Sequence, residues 1–324
     1  MQKKHFFMEL HSSSPVIDAH CDTLTVLKKQ GRNLGQRSVK GHVDLPRLFT
    51  GGVNLQFFAA FIDPLYKDNP LVRALEIFDL FYQELSENCD TMESVFSYSD
   101  IERVLSKGKI AALLTVEGGE ALAGRLEVLR IFYRLGVRCL TLTWNGRNEL
   151  ADGVCESDTG GGLTVFGKAV VSEMNRLGMI IDVSHLSRKG FWEVLERSTK
   201  PIVASHSNCR SLCDHPRNLE DDQIKALAKM DGVVGLSFYS SFVHRESPSL
   251  ESWLDHVEHL AEVAGVDYIG IGSDFDGIEA VISGLTDVSD FPRITEGLLQ
   301  RGFSEEEVRK ILGGNFLRVL KQVL

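Results

Sequence analysis

No run of this chain comes near the roughly 20 consecutive apolar residues that a membrane-spanning helix requires, so the sequence predicts no transmembrane helix. The opening Met1–Leu10 has the lysines and first apolar residues of a secretory leader, but Glu9 interrupts it before a hydrophobic core develops. A cytoplasmic location is therefore expected. Basic charge is also in deficit. The 35 Lys and Arg against 45 Asp and Glu leave a net charge of −10, which argues against nucleic acid or an anionic membrane as partner. Cysteine is sparse and scattered: Cys21, Cys89, Cys139, Cys155, Cys209 and Cys213 read as reduced thiols, not a disulfide framework. Cys209 and Cys213 lack the second pair that a zinc knuckle needs. No Ser-, Gly- or Pro-rich linker, low-complexity tract or repeat divides the chain, and no glycine-rich phosphate loop follows the first apolar run. What remains is one undivided domain over 1–324, whose 43% hydrophobic content suffices for a substantial core.

What the sequence does contain is an alternation of short β-branched runs with amphipathic stretches. Strands are predicted over 16–20, 53–61, 110–116, 137–143, 179–183, 202–205, 233–238 and 268–272. Apolar residues at helical spacing predict helices over 122–135, 163–177, 188–196, 221–228 and 250–264, and 63–107 has room for two more. Ser304 followed by three glutamates predicts the N-terminus of a closing helix over 304–324. Eight strands alternating with helices imply an α/β fold of the (β/α)8 TIM-barrel type, with an open doubly wound sheet as the alternative.

A barrel carries its chemistry at the C-terminal ends of its strands. His20 and Asp22 end the first, and a period of two turns them the same way. Glu117, followed by Gly118 and Gly119, ends the third; His185 ends the fifth, His206 the sixth and Asp274 the eighth. Carboxylates buried in such a mouth are costly unless paired or metal-bound. The set exceeds one tetrahedral zinc and points to two divalent ions sharing a carboxylate. Zinc suits imidazole with carboxylate best, and manganese, cobalt or iron are the alternatives. Two such ions about 3.5–4 Å apart would lower the pKa of a shared water, which implies hydrolysis.

The motifs Ile17-Asp18-Ala19-His20-Cys21-Asp22, Glu117-Gly118, Asp182-Val183-Ser184-His185, Ser205-His206-Ser207, His215-Pro216-Arg217-Asn218, Gly272-Ser273-Asp274-Phe275-Asp276-Gly277 and Gly314-Asn315-Phe316 can be read together. From Val16 to about Arg318 the chain resembles the membrane (renal) dipeptidase family of zinc metallopeptidases, within the amidohydrolase-like barrel superfamily. The resemblance implies a metallo-dependent hydrolase barrel in which His20 and Asp22 bind one Zn2+, His185 and His206 bind a second, and Glu117 bridges them. It implies that Asp274 moves the proton of the attacking water and that Arg217 grips the C-terminal carboxylate of a dipeptide, a fork for which guanidinium is well shaped. It also implies a homodimer.

One position departs from the family pattern. Trp144 stands where mammalian-type members carry a histidine, and indole is neither acid nor base near neutral pH. Oxyanion stabilisation then falls to the metals or to Asn145, Arg147 or Asn148. Tyr239 is a further candidate for the substrate pocket, His215 reads as a turn residue before Pro216, and Asp152 and Asp276 read as solvated loop carboxylates. The rival functions are hydrolysis of N-acyl amino acids or lactones on the same metals, and a metal-binding barrel without catalysis.

Overall fold

The computed structural model describes residues 2–324. Nine parallel strands form its sheet: β1 Ile17–Cys21, β2 Leu55–Phe61, β3 Met92–Ser94, β4 Ile110–Glu117, β5 Cys139–Thr141, β6 Ile180–Asp182, β7 Val203–Ala204, β8 Val233–Leu236 and β9 Ile269–Ile271. Their order is β2-β1-β9-β8-β7-β6-β5-β4, and β4 pairs back onto β2 from Leu55↔Ala111 to Phe61↔Glu117. That second pairing closes an eight-stranded barrel. The predicted strands all appear, generally shorter than predicted. The ninth, β3, was not predicted; it lies outside the barrel and borders only the first residues of β4, ahead of the point where β5 takes over that edge.

Two apolar layers follow from the alternation of side chains along each strand. Ile17, Leu55, Phe57, Ala111, Leu113, Cys139, Ile180, Val203 and Val233 fill the barrel interior. Phe58, Ala112, Leu114, Leu140, Ile181, Ala204, Val234 and Ile271 face the helical jacket. At the bottom, helix Asn315–Val323 inserts Phe316, Val319 and Leu320 into the interior layer. Gly270 makes this possible, since a Cβ there would lie 2.3 Å from the Phe316 ring. The predicted closing helix is thus present, but in segments: Ser304 caps Glu305–Arg309, reciprocally with Glu307, and a wide π-type turn over Lys310–Gly314 precedes the final helix.

Several helices obey their sequence signals. Thr164 caps Val165–Leu177, and Gly178, at φ 74°, ends it. The segment 63–107 folds into Pro70–Glu87 and Tyr98–Ser106. Over 122–135 the helix itself is only Leu126–Arg134, because Ala123 and Gly124 take positive φ and break the run. Helices Gln2–Ser12, Thr23–Gln30, Leu45–Thr50 and Pro292–Gln300 were not predicted. The first of them holds the opening segment against the body through His11, whose ring meets Thr295 Oγ1 at 2.7 Å and the Gly51 carbonyl at 2.8 Å. Met1 lies outside the described residues. Among those described, no helix is long and apolar enough to cross a membrane, and all six cysteines are unpaired.

Candidate metal centre

The barrel mouth collects the predicted ligands at atomic range. His20 Nε2 lies 3.4 Å from both Asp22 Oδ2 and Glu117 Oε2, and 4.0 Å from Asp274 Oδ1. On the other side of Glu117, Oε1 lies 2.8 Å from His185 Nε2 and 3.6 Å from His206 Nε2. Three overlapping groups result, His20–Asp22–Glu117, Glu117–His185–His206 and, between them, His20–His206–Asp274, with donor atoms in each within 4.8 Å of one another. All six side chains are buried.

Local structure aims these groups. In β1 the pairing runs Ile17↔Leu55, Asp18↔Gln56, Cys21↔Phe58, so three steps on β1 oppose two on β2. This is a β-bulge. Ile17 and Ala19 face the interior while Cys21 faces the jacket, so the bulge breaks the alternation and brings His20 to the inward side. His185 (φ 67°) and Asp274 (φ 64°) both hold left-handed backbone, a cost that non-glycine residues bear mainly where a site is tightly determined. Gly272 lets the strands converge: a Cβ there would lie 1.7 Å from the Ser205 carbonyl.

Beneath the ligands, two buried aspartates replace the sheet ladder where it ends. Asp182 accepts the Ser184 and Ser205 amides through Oδ1, and the Thr141 and Ser205 hydroxyls through Oδ2, both at 2.6 Å. Asp18 accepts from the Ser273 amide and hydroxyl, each at 2.7 Å, and from Gln56 at 2.9 Å. Ser205 donates its proton to Asp182, so it can only accept from His206 Nδ1, 2.8 Å away. Asn145 Oδ1 likewise accepts from His185 Nδ1 at 2.7 Å. Both rings therefore present Nε2 as a bare lone pair, and those two nitrogens lie 2.8 Å apart. Two lone pairs at that distance repel unless a cation lies between or beside them. His20 Nε2 and Asp22 Oδ1 are buried without any hydrogen bond. The donor set fits divalent metal.

The electrostatics agree. Burial, then the Arg217 charge, lowers His185 to about 4, and burial, reinforced by His20, takes His206 well below its usual value, so both rings stay neutral. Burial raises Asp22 to about 6 and lifts Asp274 well above the carboxylate range, Asp22 and Glu117 adding to the latter. Glu117 is held well below its usual value against the opposing effect of burial, by His20 and His185.

Asp22, Glu117, His185 and Asp274 line a cleft of about 530 Å³ together with Phe61 and Trp144. Trp144 stands over it, its ring 5.5 Å from Phe61 and 6.2 Å from His185. Arg217 borders a second cavity of about 400 Å³ that shares His185 with the first. Its guanidinium donates to the His206 carbonyl at 3.0 Å, its Nε has no partner, and burial lowers it to about 10, still charged at neutral pH.

The family signature of the membrane dipeptidases, peptidase family M19, matches residues 4–324. The chain belongs to this family. It is an enzyme, a hydrolase of the metal-dependent dipeptidase type. It is 36% identical over 333 residues to Dipeptidase verJ of Clonostachys rogersoniana, covering 98% of this chain and 86% of that one. Dipeptidase tcpJ of Claviceps purpurea (strain 20.1) is 36% identical over 299 residues, 89% of this chain and 70% of the relative. Among solved structures, a metallo peptidase from Rhodobacter sphaeroides, liganded with a phosphinate mimic of the dipeptide L-Ala-D-Ala, superimposes with a TM-score of 0.89 at 28% identity, over 96% of this chain and 99% of the other.

Within this membrane dipeptidase barrel some sequence candidates take other places. Tyr239 is not among the side chains lining the cleft; its ring packs on Phe242, centroids 4.8 Å apart. Asp276 and Asp152 are not solvated. The Asp276 side chain is shielded from solvent and ties Thr23 and Arg32, both at 2.7 Å, to the His42 amide, while Asp152 is clasped by Arg147 and Thr159. Arg147 is thereby occupied, as is Asn148, which donates to Glu120 and to the Leu142 carbonyl. His215 packs on Phe242 and accepts the Arg217 amide. Sequence reasoning assigned no role to Ser205, Asp182 or Asp18, and offered Asn145 only as one of several candidates for the oxyanion. The signal was there, in a buried-type aspartate three residues before His185 and a serine directly before His206.

Proposed function

We propose that this barrel is a two-metal dipeptidase, with His20 and Asp22 holding one ion, His185 and His206 the other, and Glu117 shared between them. The observation that carries it is the 2.8 Å contact between the His185 and His206 lone pairs beside Glu117. Two divalent ions, zinc before manganese, cobalt or iron, would supply Lewis acidity to the scissile carbonyl and a water acidic enough to attack near neutral pH. Asp274, held above the carboxylate range and facing His20, takes the proton of that water and returns it to the leaving amine. Arg217, with an unpartnered Nε, receives the substrate's C-terminal carboxylate. Trp144 closes one wall of the cleft and excludes water from the reacting bond; Asn145 orients His185 and does not act on the oxyanion. The dipeptide mimic bound by the Rhodobacter sphaeroides relative supports the substrate class.

The test is elemental analysis of the purified protein joined to a hydrolysis screen with and without chelator. Dipeptides with L or D residues at the C-terminal position are set against N-acyl amino acids and lactones. About two metals per chain and chelator-sensitive, metal-restored dipeptide hydrolysis are expected. Asp274→Asn should keep its metal and lose about 10²- to 10⁴-fold in kcat. Normal turnover in that variant would remove Asp274 from its role, and cleavage confined to acyl amino acids or lactones would overturn the substrate.

A further inference from the structure

The cleft carries a second chemistry that metal binding leaves unused. Helix Thr23–Gln30 begins directly after Asp22 and presents Thr25, Lys28 and Lys29 at spacings of three and four, hence on one face. That face and the first turn of helix Pro70–Glu87, which supplies Arg73, line the same cleft as the metal ligands. All four groups are hydrogen-bond donors, and little accepts from them. Thr25 Oγ1 and Arg73 Nε are buried atoms without a partner. Lys28 and Lys29 are exposed and form no ion pair among the described residues. Arg73 makes one bond to Glu76, at 3.2 Å, and lies over the Tyr66 ring at 4.5 Å.

Apart from Glu76, which meets one Arg73 nitrogen at 3.2 Å, the nearby acids do not answer this charge. Asp276 is consumed by Thr23, Arg32 and His42, and Asp63 spends Oδ1 on the Leu65 amide. Asp22, Glu117 and Asp274 face His20 at the floor. In a chain of net charge −10, two unpaired lysines, an arginine with an unpartnered Nε and an unpartnered hydroxyl have gathered along one wall of the reactive cleft. Such a wall attracts an anion and repels a cation, and the low dielectric of a cleft strengthens both effects.

The direction of the substrate says which anion. Arg217 borders the other cavity and meets this cleft only across His185. With the C-terminal carboxylate drawn to Arg217, the N-terminal residue extends along the Thr25–Lys29 face. We propose that this wall selects dipeptides whose N-terminal residue bears an acidic side chain, an inference that rests on the dipeptidase reading. Lys28, Lys29 and Arg73 bind the side-chain carboxylate and Thr25 donates to it; the α-amino group stays beside the acidic floor.

The test compares Glu-Ala with Gln-Ala, and Asp-Ala with Asn-Ala, each with L- and D-alanine, on the metal-loaded enzyme. The amide partner has the same shape, so the ratio of kcat/KM reads charge alone. A preference of about tenfold or more for the acid is expected at low salt, declining as salt screens it. In Lys29→Glu and in Arg73→Gln the ratio should fall towards one, and in Lys28→Glu/Lys29→Glu it should invert. Each variant's own Gln-Ala rate controls for folding. Equal rates on acid and amide in the unaltered enzyme overturn the inference and leave the dipeptidase reading standing. Hydrolysis of no dipeptide at all overturns that reading, and the inference with it.

Discussion

His185 and His206 meet through nitrogens that both lack a proton, because each neutral ring has committed its one N–H to the partner of its other nitrogen. At the residue scale this is the decisive fact about the site. It depends on partners that never touch the metal: Asn145 for one ring, Ser205 and through it Asp182 for the other. Such supports typically hold 10- to 100-fold in metal affinity. Ser205→Ala removes the acceptor from His206 Nδ1–H and lets the ring turn or change tautomer. Its metal affinity should fall about 10- to 100-fold in a chelator competition, while substrate KM at saturating metal shifts far less. Affinity equal to the unaltered protein would show that the relay to Asp182 orients nothing.

At the scale of elements, a buried histidine of helix Leu250–Val263 bridges two neighbouring segments. His256 Nδ1 accepts the Cys209 amide at 3.1 Å and Nε2 donates to the Val243 carbonyl at 2.9 Å, which fixes a neutral ring. Burial lowers its pKa from 6.5 to about 4. The unfolded chain therefore binds this proton first as pH falls. The contribution is complete above pH 6.5 and is lost progressively down to about 4, amounting to about 3 kcal/mol. Urea unfolding free energies should decline over that window, and those of His256→Gln, which has no proton to gain, should decline less by about that amount. Parallel curves for the two proteins would sink the assignment. The N-terminal parts of other elements are equally specific: Asp44 caps Leu45–Thr50 and also receives the Arg47 guanidinium, which fixes the loop carrying His42 beside Asp276.

For the molecule as a whole, the barrel separates the work of its two ends. The candidate ligands, Asp274 and the basic wall occupy the mouth, whereas Phe316 and its helix stop the bottom. Phe316 is fully buried, 6.0 Å from the Phe57 ring. Phe316→Ala should cost about 3–5 kcal/mol and lower the thermal midpoint. Metal content and kcat/KM per folded molecule should remain near those of the unaltered protein, since no mouth residue loses a neighbour. Loss of metal at a temperature where the variant is still folded would mean that the bottom plug governs the mouth geometry as well.

The sequence by itself determined the eight-strand alternation and the family, because β-branched runs, helical periodicity and the His20, Glu117, His185, His206 and Asp274 motifs are local signals. It placed the candidate ligands together because a barrel puts strand ends at one mouth. It could not show β3, because Met92-Glu93-Ser94 has none of the β-branched residues that marked the other strands, nor the turn over Lys310–Gly314, set by packing beneath the barrel. The fate of Asp276 was equally hidden: its partners are 234 to 253 residues away in sequence, and only folding makes them neighbours. Most telling is β1. Strict alternation from Ile17 and Ala19 would have turned His20 into the helical jacket; a one-residue bulge, fixed by pairing with β2, turns it into the mouth. Residue types are written along the chain, but the direction in which a side chain points is decided by what its strand is paired with.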